Sequence, residues 1–568
     1  MHILGIHNSG WTTSAALLSH GRLVAGGAEE RWNREKYSRA FPHKAIAYCL
    51  KEAGIRFEDV NHIALGWNPA INLASRYRGG FSDRLRYAGE WLYSVPNHIL
   101  ARWLTAEQHG TEQRFDLGRR NLSMHYVNHH DAHAATAFYH SPFERAAAFT
   151  TDFYGERTTT SWKLLEGSKF TELQKREFPQ SLGGFYCTFT ELLGFKPDGD
   201  EWKVMGLAPY GDPKAYEKQF AKIIRPTEDG GYEMDLSYFS YYNFDVEGFF
   251  TPRMTELFGP ARGADDELTQ RHKDIAASLQ HTLEQLLIHS LRSLHAKTKC
   301  DDLALSGGVI MNSVFNGIVR SETPFRRVYV PFSPDDTGNA IGAALWVQQV
   351  ALGGAEREVM SHAYWGPSYT DREIEDTIRR YKLPAKRVER PEVAAVDRIE
   401  AGRILGWFQG RMEFGQRALG NRSILADPRR DAMKDAINAA VKYREAFRPF
   451  APSILAEKTG EWFEIESDTD VPFMEKVYPI RPGKRAEIPA VTHVDGSGRL
   501  QTVSREANPL YHALISEFER RTKVPVVLNT SFNVQGEPIV CAPSDAIRTF
   551  FTCGLDSLIM GSWVIDKS

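Results

Sequence analysis

The apolar and polar positions in the N-terminal part of the chain predict the same order of elements twice. Each time, a short apolar strand ends in a polar turn, and two further strands and an amphipathic helix follow. The first set falls on residues 3–6, 14–18 and 23–26, with the helix over 44–54. The second falls on residues 146–151, 159–165 and 170–173, with the helix over 185–194. The pattern therefore predicts a duplicated strand–strand–strand–helix unit.

A duplicated unit of this kind is typical of the actin-like (ASKHA) superfamily, in which two first-turn loops hold phosphates across a cleft. After the second set, a leucine-rich stripe over residues 275–294 predicts a long helix, and a strand over 303–305 follows it. The next residues, Ser306, Gly307 and Gly308, form a turn that would let a ligand approach the backbone closely. Because of its place after the two strand sets, this turn is predicted to bind adenosine.

The length of 568 residues is too great for one hydrophobic core, so several domains are expected. Glycine- and proline-containing stretches at residues 353–356 and 365–368 indicate a boundary between 350 and 372. We expect an α/β domain of actin-like fold over residues 1–355 and an α+β domain over residues 370–568.

Composition excludes several kinds of partner. The net charge of −3 and the isoelectric point near 6.7 give no concentrated basic face, so no nucleic-acid partner is expected. No apolar run approaches the roughly 18 residues of a membrane span, and the first residues lack the features of a signal peptide. The five cysteines are few, odd in number and without CxxC spacing, which is typical of reduced thiols in a cytoplasmic protein.

A candidate metal site combines two histidines and two aspartates. His129 and His133 are four residues apart, so one helix face can present both imidazoles. Asp152 ends an apolar strand, and Asp336 follows another. Two imidazoles and two carboxylates suit iron, manganese or zinc and leave positions open for a substrate oxygen. The alternative is a solvated histidine pair without a metal.

The C-terminal part carries a candidate anion pocket. Residues 410–423 place three arginines among three glycines, and residues 441–450 add three cations. If residues 441–444 form a strand, Lys442 and Arg444 point to one face and could clamp a phosphate. An apolar strand over residues 524–528 is predicted to end in a polar turn at 529–533. The alternative is an ion-paired surface exposed to solvent.

Taken together, these motifs resemble the O-carbamoyltransferases of the NodU/CmcH family over nearly the whole chain. The resemblance rests on several motifs in the family's order. They are the His-x-x-x-His of residues 129–133, the stretches 201–208 and 306–308, and the C-terminal stretches 417–423, 448–453 and 529–533.

The resemblance implies an N-terminal domain like the tRNA threonylcarbamoyl transferases and a C-terminal domain like the YrdC carbamoyl-adenylate formers. The C-terminal domain would make carbamoyl-adenylate from carbamoyl phosphate and ATP with Mg²⁺. The N-terminal domain would pass the carbamoyl group to a hydroxyl of a small molecule, expected to be a secondary metabolite such as an antibiotic precursor. The implied ligands of Fe²⁺, or of another divalent metal, are His129, His133, Asp152 and Asp336.

Further site residues are implied by the same resemblance. The catalytic cations would be Lys36, Arg417, Lys442 and Arg444, of which the last two match the Lys-x-Arg part of a YrdC pattern. The other residues implied to contact nucleotide or carbamoyl phosphate are Lys203, Gly206, Ser306, Gly307, Gly308, Asn312, Arg422, Ser423, Arg448, Arg499, Asn529, Ser531 and Asn533.

The chain departs from the family at one position. The family carries a histidine just after the first strand as the candidate base for the acceptor hydroxyl, and here that position is Trp11. His7, four residues earlier, is the alternative base, although a structural role is equally open. The acceptor pocket is expected in the loop over residues 71–108, and a homodimer is left open. The competing functions are tRNA threonylcarbamoylation, a sugar-kinase-like activity and nucleotide binding without catalysis.

Overall fold

The computed structural model describes residues 1–8, 12–69, 71, 110–116, 121–243, 246–442, 445 and 447–567. The chain forms two compact units. The first comprises Met1–Gly10, Ser14–Val24 and Ala53–Val359, and the second comprises Trp11–Thr13, Ala25–Glu52 and Met360–Ser568. The second unit therefore includes a short N-terminal segment that the expected boundary assigns to the first domain.

Two sheets in the N-terminal part of the chain share one strand order. The strands are β1 (His2–Asn8), β2 (Thr13–Ser19), β3 (Arg22–Ala28), β4 (His62–Leu65), β5 (Gly110–Asp116), β6 (Asn121–Val127), β7 (Arg145–Thr151), β8 (Thr158–Glu166), β9 (Lys169–Glu177), β10 (Ile224–Pro226), β11 (Tyr232–Met234), β12 (Asp302–Ser306) and β13 (Arg327–Tyr329). The orders are β3-β2-β1-β4-β6-β5 and β9-β8-β7-β12-β13, and β10 pairs with β11 separately. In both sheets, the first strand of a three-strand set pairs in parallel with a strand from later in the chain. This repeated order confirms the duplicated actin-like unit.

The helices follow the strands in the predicted places. They are α1 (Glu30–Asn33), α2 (His43–Glu52), α3 (His129–His140), α4 (Leu182–Leu192), α5 (Glu201–Leu207), α6 (Glu217–Ile223), α7 (Pro252–Phe258), α8 (Gln270–Thr298), α9 (Ser313–Glu322) and α10 (Asn339–Trp346). The stripe predicted on the long helix is buried along α8, from Ile275 to Leu294. Among the helices formed by the described residues, none is long and apolar enough to cross a membrane.

The second unit is built on a mixed sheet of nine described strands. These are β14 (Lys386–Arg387), β15 (Leu405–Phe408), β16 (Arg422–Ala426), β17 (Ala451–Leu455), β18 (Lys476–Pro479), β19 (Ser497–Val503), β20 (Val526–Ser531), β21 (Ser557–Met560) and β22 (Trp563–Asp566). Their order is β14-β22-β21-β15-β16-β20-β17-β19-β18. The helices are α11 (Asp371–Arg380), α12 (Pro391–Glu400), α13 (Met433–Ile437), α14 (Thr459–Trp462), α15 (Pro509–Thr522) and α16 (Pro543–Thr552). Strands β15, β16, β17 and β21 are buried at every position, so the core lies on both faces of the sheet.

Two local predictions in this unit are wrong. Lys442 does not lie on a strand, because α13 continues as a π-helical turn over Asn438–Lys442. The reason is the burial of Met433, Ile437 and Val441, whose spacing of four is that of a helix face. The polar turn predicted at 529–533 also starts later, since β20 continues to Ser531 and pairs there with Ser423 of β16.

Candidate functional site

The four predicted metal ligands come together in the first unit. His129 and His133 lie on the first turn and a half of α3, and Asp152 follows the end of β7. Asp336 begins a short turn before α10, which packs against α3. One ligand atom from each side chain lies within 4.8 Å of the other three. The strand ends and helix starts of the fold therefore bring together residues that are far apart in sequence.

The spacing of the ligand atoms fits a single divalent ion. The His133 Nε2 atom lies 3.0 Å from His129 Nε2, 2.9 Å from Asp152 Oδ2 and 3.4 Å from Asp336 Oδ1. His129 Nε2 lies 3.3 Å from Asp336 Oδ1 and 3.6 Å from Asp152 Oδ2. Ligands bound at about 2.0–2.2 Å to one ion stand roughly 2.8–4.4 Å apart, and these five separations lie within that range. The imidazoles are buried, while the side chains of Asp152 and Asp336 are 13% and 16% exposed.

Neighbouring polar groups orient the two imidazoles. The Nδ1 atom of His133 lies 3.3 Å from the Ser306 hydroxyl, and the Nδ1 atom of His129 lies 3.3 Å from the Asn339 side-chain amide. When Nε2 of a histidine binds a metal, Nδ1 carries the hydrogen and needs an acceptor. The Asn339 amide must then present its Oδ1 atom to His129. Asn339 was not predicted from the sequence.

The predicted base, His7, borders the same cluster. It is fully buried on β1, and its Nε2 atom lies 3.4 Å from Oδ2 of Asp336. The other oxygen of that carboxylate faces the histidine pair. His7 thus contacts a metal ligand rather than only its own turn, and its role as a base stays a prediction. Trp11 lies outside the described residues, as does the loop over residues 72–108.

The cluster holds protons tightly when no metal is bound. Burial lowers the pKa of His129, but the charge of Asp336 and hydrogen bonds to Asp152 and Asp336 outweigh it and raise the pKa to about 10. For His133, burial likewise lowers the pKa, and hydrogen bonds to the same carboxylates raise it overall. Burial and the charges of these two histidines lower the pKa of His130. A metal must therefore displace protons from the ligand histidines.

The predicted glycine turn lies against the metal cluster. Gly307 has φ +104°, and a Cβ atom there would lie 2.1 Å from the Thr151 carbonyl oxygen. A Cβ atom on Gly308 would lie 2.8 Å from Oδ1 of Asp152. The turn therefore packs closely against the loop that contains Asp152, one of the predicted metal ligands. The Asn312 side chain accepts from Phe315 N–H at the start of α9 and bonds to Gln280, and its contact with a nucleotide stays a prediction.

Helix α5 carries Lys203 and Gly206, two residues of the first unit that the sequence predicts to contact a nucleotide. Gly206 is half-buried near the end of the helix. The Lys203 ammonium is 3.1 Å from Asp200 and lies over the rings of Phe195 and Trp202, at 5.5 and 5.6 Å from their centroids. Their contact with a nucleotide stays a prediction.

In the second unit, the structure brings Lys442 together with Ser531 and Asn533, two of the residues predicted to contact nucleotide or carbamoyl phosphate. The Lys442 ammonium, on a side chain that is only 5% exposed, donates to the carbonyl oxygen and hydroxyl of Ser531 and to the carbonyl and side-chain oxygens of Asn533. The two Asn533 bonds are 2.9 and 2.8 Å long. This group of three residues is called the lysine cluster below. Arg444 lies outside the described residues.

The arginine-rich loop is folded around a buried carboxylate that the sequence did not identify. Oε1 of Glu413 accepts backbone N–H bonds from Leu419, Asn421 and Arg422, at 2.7, 2.8 and 3.2 Å. Gly420 N–H donates to the Ser423 hydroxyl. Arg417 is half-buried in this loop.

Arg422, which the sequence predicts to contact nucleotide or carbamoyl phosphate, helps to hold this loop in place. The fully buried Arg422 guanidinium donates to the carbonyl oxygens of Gln409, Pro367 and Gly410 and stacks 3.7 Å from the Phe408 ring centroid. These bonds are made by its two terminal nitrogens to the protein backbone, and a contact of Arg422 with a ligand stays a prediction.

The remaining predicted residues of this unit lie on neighbouring elements. Asn529 is buried, and its amide donates to Ala418, Ser453 and Gln501. Arg448 lies 3.4 Å from Glu445, and Arg499 is half-buried on β19.

The segment that carries Lys36 belongs to the second unit. Arg31 of α1 donates to the Gly415 carbonyl oxygen at 2.7 Å, in the arginine-rich loop. Arg34 donates to the carbonyl oxygens of Pro538 and Ile539, at 2.7 and 2.6 Å. These bonds place the segment beside two loops that hold predicted anion-binding residues. Lys36 itself is half-buried, with its ammonium 5.1 Å from the Tyr37 ring centroid.

The fold and the site together define an actin-like α/β protein with a candidate metal-ligand set, joined in one chain to an α+β unit with a buried cationic cluster. A family profile described as carbamoyltransferase N-terminus matches residues 2–345, and one described as carbamoyltransferase C-terminus matches residues 396–567. The chain belongs to the carbamoyltransferase family and is a transferase of carbamoyl groups.

Relatives match along most of their length. The chain is 39% identical to nodulation protein NolNO of Sinorhizobium fredii, over 98% of the chain and 78% of that protein. It is 40% identical to nodulation protein NolO of Bradyrhizobium diazoefficiens, over 78% of the chain and 79% of that protein. An uncharacterized protein of Synechocystis is 37% identical, over 100% of the chain and 97% of that protein.

Solved structures are more distant. A ROK hexokinase from Thermus thermophilus is 14% identical over 61% of the chain and 98% of its own length, with a TM-score of 0.26. YeaZ from Pseudomonas aeruginosa is 16% identical over 32% of the chain and 69% of its own length, with a TM-score of 0.17. The strand order of the two sheets, rather than these scores, supports the fold assignment.

Proposed function

We propose that the chain is an ATP-dependent O-carbamoyltransferase with two half-reactions in two units. In the second unit, carbamoyl phosphate, ATP with Mg²⁺ and water would give carbamoyl-adenylate, pyrophosphate and the phosphate released from carbamoyl phosphate. In the first unit, the carbamoyl group would pass to a hydroxyl of a small molecule, and AMP would leave. The observation that carries the proposal is that the chain has two polar clusters. The candidate metal-ligand cluster lies in the part matched by the N-terminal family profile, and the cationic cluster lies in the part matched by the C-terminal profile.

The cations of the second unit suit the first half-reaction. Transfer of a nucleotidyl group spreads negative charge over phosphoryl oxygens, and fixed positive groups stabilise that charge. Lys442 offers three protons to four oxygens of Ser531 and Asn533, so a phosphate oxygen could replace one of them without a large movement. We assign Arg417, Arg444, Arg448 and Lys36 to the same step as further cations.

The first unit suits the second half-reaction. We propose that His129, His133, Asp152 and Asp336 would hold a divalent metal, with Fe²⁺ preferred over Mn²⁺ or Zn²⁺. Such an ion would neutralise negative charge on the adenylate phosphate. The acceptor oxygen would form the new bond to the carbamoyl carbon as the bond to the phosphate oxygen breaks. We propose that His7 takes the hydroxyl proton, because its Nε2 atom lies 3.4 Å from Oδ2 of Asp336, at the edge of the cluster.

The acceptor and the setting complete the proposal. The acceptor would be a secondary metabolite with a free hydroxyl, in a cytoplasmic setting. All five cysteines lie among the described residues, and none of them forms a disulfide, which supports a reducing compartment.

The test separates the two half-reactions. The protein is incubated with ATP, Mg²⁺ and carbamoyl phosphate, first alone and then with a panel of hydroxylated natural products. We expect pyrophosphate release that depends on carbamoyl phosphate, and a carbamoyl mass gain on an acceptor. His133→Ala should retain pyrophosphate release, lose metal occupancy and lose transfer. Nucleotide binding without pyrophosphate release by the unmodified protein would refute the proposal.

A further inference from the structure

Glu156 is a buried carboxylate beside the metal cluster that does not belong to the four ligands. It is only 3% exposed and lies in the same loop as Asp152, four residues further along. Its Oε1 atom accepts two backbone N–H bonds, from Asn68 at 2.6 Å and from His129 at 2.9 Å. One carboxylate oxygen thus joins the segment after β4, the start of α3 and the loop after β7.

The bond to His129 satisfies a helix end. His129 is the first residue of α3, so its N–H has no acceptor within the helix. The side chain of the preceding residue, Asn128, makes no capping bond and instead accepts from the Asn68 amide at 2.8 Å. Glu156 supplies the missing acceptor, and its negative charge is favourable at the positive end of the helix dipole.

The neighbouring glycine shows how closely this loop lies on the ligand. A Cβ atom on Gly155 would lie 3.0 Å from Cβ of His129 and 3.1 Å from its Cδ2 atom. The loop that contains Asp152 is therefore pressed against the His129 side chain. One short loop, residues 152–156, therefore contains Asp152 and contacts His129, although these two predicted metal ligands are 23 positions apart in sequence.

We propose that Glu156 is a positioning residue of the metal centre, which fixes His129 relative to Asp152. This inference rests on the proposed metal site. It predicts that loss of the carboxylate weakens metal binding although no ligand atom is removed, because the imidazole of His129 can then shift relative to the other three ligands. Loss of an outer partner of a metal ligand typically weakens metal affinity about 10- to 100-fold.

The test compares Glu156→Ala and Glu156→Gln with the unmodified full-length protein. Each metal-free protein is titrated with Co²⁺ against a chelating competitor, which gives the Kd, and the absorption spectrum of the bound Co²⁺ reports the ligand geometry. We expect the Kd of Glu156→Ala to rise about 10- to 100-fold, with a changed spectrum. Glu156→Gln keeps an oxygen acceptor and should show a smaller rise. Pyrophosphate release in the second unit should not change.

Glu29 provides a matched control for a purely structural role. It is also 3% exposed, and its carboxylate accepts backbone N–H bonds from Lys44 and Ala45 at the start of α2, in the second unit. Glu29→Ala should lower the melting temperature and leave the Co²⁺ Kd unchanged.

Three outcomes would contradict the inference. If Glu156→Ala folds and has the same Co²⁺ Kd and the same spectrum as the unmodified protein, the inference is wrong, although the metal site stands. If Glu156→Ala does not fold, an unchanged Kd in both Glu156→Gln and Gly155→Ala would overturn it. Failure of the unmodified protein to bind Co²⁺ would refute the metal centre and the inference together.

Discussion

Replacement of Lys442 by methionine should separate the stability of the second unit from its chemistry. Methionine has a similar length but no donor, so the lysine cluster loses every bond to the ammonium. The Ser531 carbonyl oxygen retains a bond from Asn533 N–H at 3.0 Å, and the Asn533 side-chain oxygen retains the Ser531 hydroxyl at 2.6 Å. The Asn533 carbonyl oxygen is affected most, because the hydrogen bond from Lys442 is the single one described for this oxygen.

The magnitude follows from these contacts. A buried acceptor left without its donor costs about 1–3 kcal/mol, and loss of a hydrogen bond to a charged group costs about 1.5–3 kcal/mol. Removal of a buried ammonium offsets part of this cost, so we expect a net loss of about 2–4 kcal/mol. At roughly 2–4 °C per kcal/mol, the melting temperature should fall by about 4–16 °C. Loss of a positive group from the site should lower the rate of adenylate formation by about 100-fold or more.

The assay measures carbamoyl-phosphate-dependent pyrophosphate release at a temperature at which the variant is folded. Lys476→Met is the control, because Lys476 is also 5% exposed and lies in the same sheet, on a strand three positions from β20. The control should lower the melting temperature but keep the rate within a few-fold. A rate for Lys442→Met equal to that of the unmodified protein would refute the assignment of the lysine cluster to the first half-reaction.

Two further predictions concern the metal cluster. Gly308→Ala should raise the metal Kd at least about tenfold, because the new methyl group would push on Oδ1 of Asp152. Gly460→Ala, where a Cβ atom meets nothing within 4 Å, should leave the Kd unchanged, and equal values for both variants would contradict the argument. Metal uptake at neutral pH should release protons, since the pKa values of His129 and His133 are raised in the metal-free site and only neutral imidazoles bind metal. Calorimetric titration in two buffers of different ionisation enthalpy measures this release, and identical heats would refute it.

The sequence predicted that His129, His133, Asp152 and Asp336 come together, as the structure shows, because helix spacing and strand ends determine where such residues lie. His129 and His133 share a helix face by spacing, and Asp152 follows an apolar strand. Glu156, Asn339 and Glu413 could not be found in this way. They act through contacts with groups distant in sequence, and no local pattern distinguishes them from ordinary polar residues.

The errors in the second unit have a related cause. The cations of residues 441–450 suggested strand alternation, whereas the apolar spacing of Met433, Ile437 and Val441 determined the local structure. The density of arginines in residues 410–423 suggested ligand contacts throughout. The structure shows that Arg422 donates to backbone carbonyls, a role that depends on how the loop folds back on itself and that no local pattern predicts.

The inclusion of Ala25–Glu52 in the second unit has a consequence for synthesis on the ribosome. Arg31 and Arg34 are synthesised before the carbonyl groups that they bond to, which follow 384 residues later at Gly415 and 504 and 505 residues later at Pro538 and Ile539. At about 5–20 residues per second, the segment waits roughly 20–100 s for these partners. A nascent chain that has completed every residue of the first unit therefore still exposes α1 and α2, and it is expected to need shielding from aggregation until these partners have been made.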